Sequence, residues 1–322
     1  MTAAAPAAPV IRADGVSRTF NGHPGVRDLT FSVAEGRILG LIGPSGSGKT
    51  TTVRMLSGTL ARSSGELLVM GEDPSHFSRR TRKRLAYMPQ LMSLSPDLTA
   101  GENVGFVAAL YDIGPFRRRR AIRSALEVVD LWDVRHRLAR DLSGGMQRRL
   151  ELACALVHNP RVLFVDEPTS GIDPILRQAV WKELRRRREA GCTLVVTTQQ
   201  VAEAEECDAV ALITDGELVA VDEPGNLRRL AFGGEMLELE TRQAVDQDLV
   251  AGLDGVLHVR QAGARRFLIV VADAASATPR IMGALTARSL AVVSLAEYRP
   301  TFDETFEVLV GRHRAAASKP DA

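Results

Sequence analysis

Residues 43–50 of this 322-residue chain read Gly-Pro-Ser-Gly-Ser-Gly-Lys-Thr and fit the pattern G-x-x-x-x-G-K-[ST]. The stretch follows a compact apolar run, Ile38–Ile42, and precedes a helical pattern over residues 51–56. Glycines let such a loop curl so that its N–H groups face a phosphate, and the following helix N-terminus adds a partial positive charge. The sequence therefore predicts a strand, a phosphate-binding loop and a helix, in that order.

Each part of this loop has an expected contact. Lys49 is expected to reach the β- and γ-phosphates, and the Thr50 hydroxyl to bind Mg²⁺. The other predicted phosphate contacts come from the loop and the first turn of the helix, and they are Gly43, Ser45, Gly46, Ser47, Gly48 and Thr51. A chance match of the four fixed positions is expected in roughly one chain of this length in a hundred. The strand–loop–helix context makes chance a poorer explanation still.

A second apolar run, Val-Leu-Phe-Val at residues 162–165, ends in two acids, Asp166 and Glu167. An acid at the end of a buried strand beside a phosphate loop is placed to hold Mg²⁺ through water, which is the role expected of Asp166. Glu167 is expected to face the γ-phosphate as the general base for an attacking water. Alone this pattern is weak evidence, but together with a phosphate loop it predicts nucleotide hydrolysis.

A Ser-Gly-Gly turn at residues 143–145 opens a further helical pattern over residues 146–157. A capped helix N-terminus of this kind is an anion site. A single phosphate loop needs no second phosphate grip of its own, so the turn is expected to contact a nucleotide held by another subunit. The alternative is an ordinary N-capped helix without a ligand.

Taken together, these motifs resemble the nucleotide-binding subunit of ABC transporters over residues 10–228. Residues 43–50 correspond to the Walker A loop, residues 162–166 to the Walker B strand and residues 142–147 to the signature motif, whose partner-site contacts would be Ser143, Gly144, Gly145 and Gln147. The resemblance implies three further roles. Gln90 would touch Mg²⁺ and relay to a membrane partner, Asp173 would line a dimer seam, and Phe20 would stack on adenine. The alternative for Phe20 is an ordinary core phenylalanine.

One position departs from the family pattern. The family usually has a histidine in a Thr-Thr-His sequence after a strand, whereas residues 197–199 here read Thr-Thr-Gln. No histidine lies between His158 and His258 to replace it. Gln199 keeps an N–H donor at a similar reach, so it is expected to take part in catalysis as a weaker donor. The alternative is an inert stand-in.

The chain pattern predicts two domains. Short apolar runs alternating with helices predict an α/β core of buried parallel strands, and residues 92–141 match the family's helical subdomain. After Gly233 and Gly234 the pattern changes to that of a small α+β domain over residues 235–311. Residues 1–9 and 312–322 are expected to be flexible tails. The predicted fold is thus a P-loop ABC ATPase core, residues 10–228, followed by an accessory domain.

Composition restricts the partners. The formal net charge of +2 does not favour a nucleic-acid partner held by charge. No apolar stretch of about 18 residues is present, so the chain is not expected to span a bilayer by itself. The resemblance implies a permease encoded separately, which would hold the chain at the cytoplasmic face of the membrane. The three cysteines form no C-x-x-C pair, which is typical of reduced thiols.

The resemblance implies binding and hydrolysis of ATP with Mg²⁺ by two such subunits. A homodimer is expected, although the sequence leaves a heterodimer open. Residues 168–174, 202–208 and 299–306 are similar to exporters of drugs, antibiotics and lipids. The alternatives are an importer subunit and a soluble ABC ATPase of translation or DNA repair, which usually carries two cassettes or a long coiled coil. The cargo is not encoded here, because the permease selects it.

Overall fold

The computed structural model describes residues 9–91 and 93–317, and internal contacts divide the chain into two units, Met1–Val221 and Asp222–Ala322. The strands that begin in the first unit are β1 (Ile11–Phe20), β2 (His23–Val33), β3 (Ile38–Ile42), β4 (Ser64–Val69), β5 (Leu85–Met88), β6 (Val162–Asp166), β7 (Thr193–Thr198), β8 (Ala209–Thr214) and β9 (Glu217–Asp222). Its α-helices are α1 (Lys49–Leu56), α2 (Arg79–Arg82), α3 (Ala100–Leu110), α4 (Pro115–Val128), α5 (Gly144–Leu156) and α6 (Pro174–Glu189).

A six-stranded sheet in the order β5-β6-β7-β3-β8-β9 forms the centre of the first unit. Strands β5, β6, β7, β3 and β8 pair in parallel. Strands β3, β6 and β7 are buried along their whole length, which explains their continuous apolar runs. Because neighbouring parallel strands end at the same edge, the segments that follow β3, β6 and β7 lie side by side there.

A smaller antiparallel sheet, β2-β1-β4, packs with α1 and the large sheet through one apolar cluster. The cluster includes Ile11, Leu29, Leu39 and Leu56, all essentially inaccessible to solvent. Burying a side chain of this size contributes about 1.5–3 kcal/mol. This packing holds α1, and therefore the loop before it, against the edge of the large sheet.

The segment from residue 93 to residue 141 is helical, with α3 and α4 followed by two short 3-10 turns, Trp132–Val134 and Ala139–Asp141. Thr99 and Glu102 form a reciprocal capping box at the start of α3. The arginine run in α4, residues 117–120, is largely exposed. Within residues 93–141 there is no strand, in keeping with the helical pattern of the sequence.

The second unit is an antiparallel sheet in the order β11-β12-β10-β13 with helices packed against it. Its elements are α7 (Pro224–Phe232), β10 (Glu235–Thr241), α8 (Gln247–Ala251), β11 (Val256–Gly263), β12 (Arg266–Val271), α9 (Ala274–Ala287), β13 (Val292–Tyr298) and α10 (Phe302–Ala317). Leu237, Leu239, Phe267 and Ile269 alternate into its core, as expected for half-buried strands.

The unit boundary falls at residue 221, whereas the sequence placed residues up to 228 in the first domain. Helix α7 lies in the second unit, where Arg228 donates to the Pro300 carbonyl and Arg312 donates to the Leu230 carbonyl. Contacts between elements far apart in the sequence determine this boundary. The glycine pair at residues 233 and 234 indicates a local break in the chain but carries no information about those contacts.

Helix α10 continues through Ala317, so residues 312–317 are helical where a flexible tail was expected. Basic residues near a helix C-terminus are favourable with the helix dipole, and alanine is the best helix former, which accounts for the extension. The predicted tails at residues 1–8 and 318–322 lie outside the described residues. In the described part of the chain, no helix is both long and apolar enough to span a bilayer.

Candidate active site

A cavity of about 290 Å³ lies where the buried parallel strands end. Its lining unites residues 45–50 of the phosphate loop with three side chains that are distant in the sequence, Gln90, Glu167 and Gln199. The full lining is Gly25, Ser45, Gly46, Ser47, Gly48, Lys49, Thr50, Thr51, Gln90, Glu167 and Gln199. Apart from Gly43, the residues predicted to bind phosphate therefore share one cavity with Glu167 and Gln199, which are predicted to act on it.

The phosphate loop depends on glycine at several positions. Gly46 and Gly48 have φ angles of 77° and 103°, a region that side chains disfavour. A Cβ at Gly43 would lie 1.9 Å from the Ile213 carbonyl oxygen, and one at Gly48 would lie 2.4 Å from the Val26 side chain. No side chain caps the N-terminus of α1, so the donors of its first turn are left for an anion.

Lys49 is held inside this loop. Its side chain is buried, and Nζ donates to the carbonyls of Gly43 at 2.7 Å and Pro44 at 2.8 Å. Burial lowers the pKa of Lys49, while the nearby carboxylates of Glu167 and Asp166 act in the opposite direction. A cation thus lies beside two carboxylates, at the position expected for a phosphate ligand.

Two buried oxygen atoms at the site have no hydrogen-bond partner among the described residues, Ser47 Oγ and Asp166 Oδ2. The other carboxylate oxygen of Asp166 accepts bonds from Thr50, at 3.1 Å, and from Thr197. Unpaired buried polar atoms are costly, so the site is arranged for a ligand that would satisfy both.

These donors fit a magnesium ion bound with phosphate. Over residues 9–91 and 93–317, no group of three or more His, Cys, Asp or Glu side chains could hold a metal alone. Mg²⁺ is typically held by one or two carboxylates together with substrate phosphates and water. Asp166 Oδ2, the Thr50 hydroxyl and the Gln90 amide are the side chains that would hold it.

Glu167 lies between two amides. Gln199 Nε2 donates to one carboxylate oxygen at 2.6 Å, and Gln90 Nε2 contacts the other at 3.4 Å. The residue is 6% exposed, and its backbone has a φ of 49°. Its N–H donates to the Thr197 hydroxyl at 3.0 Å. A buried carboxylate held at both oxygens is well placed to receive a proton from a water in the cavity.

Phe20 lies at the end of β1, next to a tight turn formed by Asn21 and Gly22, which both have positive φ angles. The ring is 42% exposed, which does not fit a core phenylalanine. A Cβ at Gly25 would lie 2.6 Å from the ring, so Phe20 packs on a residue of the cavity lining. The Arg18 guanidinium lies 4.9 Å from the ring centroid.

The signature residues lie elsewhere in the unit. Ser143 caps α5 by accepting from Met146 N at 3.4 Å, and it lines a separate cleft of about 540 Å³ together with Gly145 and Asp173. The linings of this cleft and of the phosphate cavity have no residue in common. Gln147 donates instead to the Ala139 carbonyl. Within one chain, the signature turn is not part of the phosphate cavity.

Asp173 has a local structural role. Its carboxylate caps α6 by accepting from the backbone N–H groups of Ile175 and Leu176, both at 3.0 Å. The Ile175 side chain next to it is 83% exposed. A large apolar side chain exposed beside a capped helix start suits a surface that contacts another chain.

Three residues that support the site were not found from the sequence, Thr197, Arg148 and Glu151. Thr197 bridges the Asp166 carboxylate and the Glu167 N–H because β6 and β7 pair with Asp166 opposite Thr197. The available signal is a pair of hydroxyl residues, Thr197 and Thr198, at the end of a buried strand. For Arg148 and Glu151 it is a pair of charges three residues apart on a helix that is otherwise largely buried.

Comparison with known proteins shows which family the chain resembles. Residues 26–170 match the family described as ABC transporter. The "Probable multidrug ABC transporter ATP-binding protein YbhF" of Escherichia coli (strain K12) is 36% identical over 242 residues, covering 75% of this chain. This chain spans only 42% of the length of YbhF. The "Daunorubicin resistance ATP-binding protein DrrA3" of Streptomyces coeruleorubidus is 33% identical over 306 residues, covering 94% of this chain and 96% of that protein.

A solved structure shows the same fold. It is described as a dimeric structure of a post-hydrolysis state of the ATP-binding cassette MJ0796 bound to ADP and Pi. It has a TM-score of 0.62 at 24% identity and covers 66% of this chain and 98% of that chain. The predicted α/β P-loop fold is confirmed.

A phosphate loop, a buried acid pair and a parallel sheet define the class of P-loop ATPases. The chain belongs to the ABC transporter family, among its ATP-binding proteins. The match to DrrA3 over nearly the whole length of both chains shows this. The family predicted from the motifs is therefore confirmed.

Proposed function

We propose that this chain is the ATP-hydrolysing subunit of an exporter. The observation that carries the proposal is the shared cavity, in which the phosphate loop meets Glu167 held between Gln90 and Gln199. A phosphate grip and a positioned proton acceptor in one cavity are two of the features that hydrolysis of a phosphoanhydride requires.

In the proposed reaction, Lys49 and the loop N–H groups hold the β- and γ-phosphates of ATP. A magnesium ion at Thr50, Gln90 and Asp166 would neutralise phosphate charge. Water attacks the γ-phosphorus, and its proton passes to the Glu167 carboxylate. The bond from the γ-phosphorus to the bridging oxygen breaks, which yields ADP and phosphate. Phe20 would stack on the adenine.

A second subunit is proposed to complete each site. The phosphate cavity and the signature cleft are separate within one chain, and Ser143 lies at an exposed helix start that favours anions. Two chains placed head to tail would bring the Ser143 turn of one, with Gly144 and Gly145, to the γ-phosphate held by the other. A second copy is the proposed partner, and the MJ0796 cassette, which has a similar fold, is itself described as dimeric.

Export is proposed from the relatives. YbhF is named as a probable multidrug transporter protein and DrrA3 as a daunorubicin resistance protein. We infer a cargo of the drug, antibiotic or lipid class and a separate permease that carries it. The chain would lie at the cytoplasmic face of the membrane through that permease.

The Glu167→Gln variant tests the proposed chemistry. It keeps the size and hydrogen bonding of the side chain but cannot accept the proton, so hydrolysis should fall roughly a hundredfold or more. ATP should still bind, and an ATP-stabilised dimer should accumulate on a sizing column. Glu189→Gln, at the exposed end of α6, is the matched control and should hydrolyse ATP as wild type does. Wild-type turnover by Glu167→Gln would rule out Glu167 as the base.

A further inference from the structure

A buried ion pair lies on α5, just beyond the signature turn. Arg148 and Glu151 are 6% and 3% exposed, and Arg148 Nη1 lies 2.8 Å from Glu151 Oε2. A guanidinium remains charged inside a protein, so burying it requires an ion-pair partner and further hydrogen bonds. What surrounds this arginine therefore shows what it holds in place.

The Arg148 guanidinium joins two catalytic segments. Its Nη1 donates to the carbonyl of Pro89 at 2.9 Å and contacts that of Gln90 at 3.3 Å. Its Nη2 donates to the carbonyls of Asp166 and Glu167, both at 2.8 Å. The planar fork reaches both segments at once because its two nitrogens point in different directions.

Glu151 extends the same connection. While one carboxylate oxygen binds Arg148, the other accepts the backbone N–H of Ser93 at 2.6 Å. The pair thus contacts the segment of Gln90 on both sides, at Pro89 and at Ser93. The Ser93–Glu151 contact adds a charge-assisted hydrogen bond to the chain segment that follows β5.

The backbone of Glu167 requires such support. Its φ of 49° is unfavourable for a residue with a Cβ and persists only where surrounding contacts hold it. Thr197 holds the N–H of Glu167, and Arg148 holds its carbonyl. Both contacts therefore restrain the backbone that carries the Glu167 carboxylate.

We propose that Arg148 is a positioning residue that fixes Gln90 and Glu167 to the helix bearing the signature turn. When Ser143 of one subunit contacts the γ-phosphate of ATP held by the other subunit, α5 and Arg148 would then position Gln90 and Glu167 of the subunit that carries this Ser143. This inference rests on the proposed function, since it assumes that Glu167 is the base and that Ser143 contacts the partner's nucleotide.

The test is Arg148→Lys. Lysine keeps the charge beside Glu151, but a single ammonium cannot reach both pairs of carbonyls. We expect kcat for ATP hydrolysis to fall about tenfold or more, because small misplacements of catalytic groups are costly. KM for ATP should stay within about threefold of wild type, since the phosphate loop is unchanged. The ATP-dependent dimer should still form.

The control is Arg187→Lys, which alters a partly buried arginine paired with Glu183 on α6 and should leave kcat unchanged. The effects of Arg148→Lys and Gln90→Ala on kcat should be non-additive in a double-mutant cycle. In the control cycle, the effects of Arg187→Lys and Gln90→Ala should be additive. If Arg148 had a purely structural role, its substitution would lower thermal stability, but the two cycles would not differ in their coupling of kcat.

Wild-type kcat in a folded Arg148→Lys variant would overturn the inference. If that variant unfolds below the assay temperature, Glu151→Gln decides, with a fall in kcat of about threefold or more at unchanged KM supporting the proposal and unchanged kcat rejecting it. The proposed function is judged separately. Should Glu167→Gln hydrolyse ATP normally, the proposed chemistry fails first, whereas an inactive Glu167→Gln beside a fully active Arg148→Lys rejects only the positioning role.

Discussion

Replacing Gln199 with alanine removes the amide that lies 2.6 Å from a carboxylate oxygen of Glu167. A hydrogen bond to a charged group contributes about 1.5–3 kcal/mol, and Gln199 is exposed, so solvent screening favours the lower end of this range. About 1.4 kcal/mol corresponds to a tenfold change in rate. Hydrolysis by Gln199→Ala should therefore fall about tenfold, while Gln90 still contacts the other oxygen of Glu167.

The assay is steady-state phosphate release at saturating ATP, measured across pH. Gln199→His should hydrolyse ATP at least as fast as wild type and add a titration near pH 6 to 7, because an imidazole can become cationic there. Gln200→Ala is the matched control, since that neighbouring amide has no hydrogen bond to Glu167 in the described part of the chain. If Gln199→Ala were as fast as wild type, Gln199 would have no role in the chemistry.

Three further predictions concern the signature turn, His158 and the second unit. Ser143→Arg should still bind ATP as a monomer but lose dimerisation and hydrolysis, and mixing it with Lys49→Ala should restore at most one working site per dimer; full activity of purified Ser143→Arg would contradict the two-chain site. Burial lowers the pKa of His158 from 6.5 to about 4. Between these pH values the imidazole is protonated in the unfolded chain but neutral in the folded chain, so the free energy of unfolding should fall as pH drops from about 6.5 to 4. His158→Phe, which keeps a ring against Tyr111, should therefore gain up to about 3 kcal/mol of unfolding free energy relative to wild type over that pH range in urea titrations, and a pH-independent difference would contradict this. Removing residues 222–322 should leave ATP binding intact in a fluorescent-nucleotide assay while changing dimer stability, and a folded truncation unable to bind nucleotide would show that the second unit contributes to the site.

The parts of the site that the sequence predicted without a family resemblance are those written in contiguous residues. The phosphate loop, residues 43–50, could be read directly because its function needs glycines, a lysine and a hydroxyl at fixed spacing in one turn of chain. Asp166 and Glu167 followed from an apolar strand that ends in acids. These motifs carry their own local geometry, so little tertiary information is needed to interpret them.

The other parts depend on which segments the sheet brings together. The order of β6, β7 and β3 places Thr197 and Gln199 beside Glu167, and no spacing along the chain indicates that the Gln199 amide binds that carboxylate. The contacts of Arg148 with the segments after β5 and β6, and the position of the unit boundary at residue 221, likewise depend on elements that are distant in the sequence.

The sequence alone determined the family and the P-loop fold and indicated the residues proposed to bind phosphate, because these rest on short-range requirements of backbone and charge. Tertiary structure decided how Glu167 is held, where its supporting arginine lies and that the signature turn lies outside the phosphate cavity. The physical reason is that hydrogen bonds and ion pairs act over a few ångströms. Only the folded chain brings Arg148, Gln199 and Glu167, which are widely separated in sequence, within that distance.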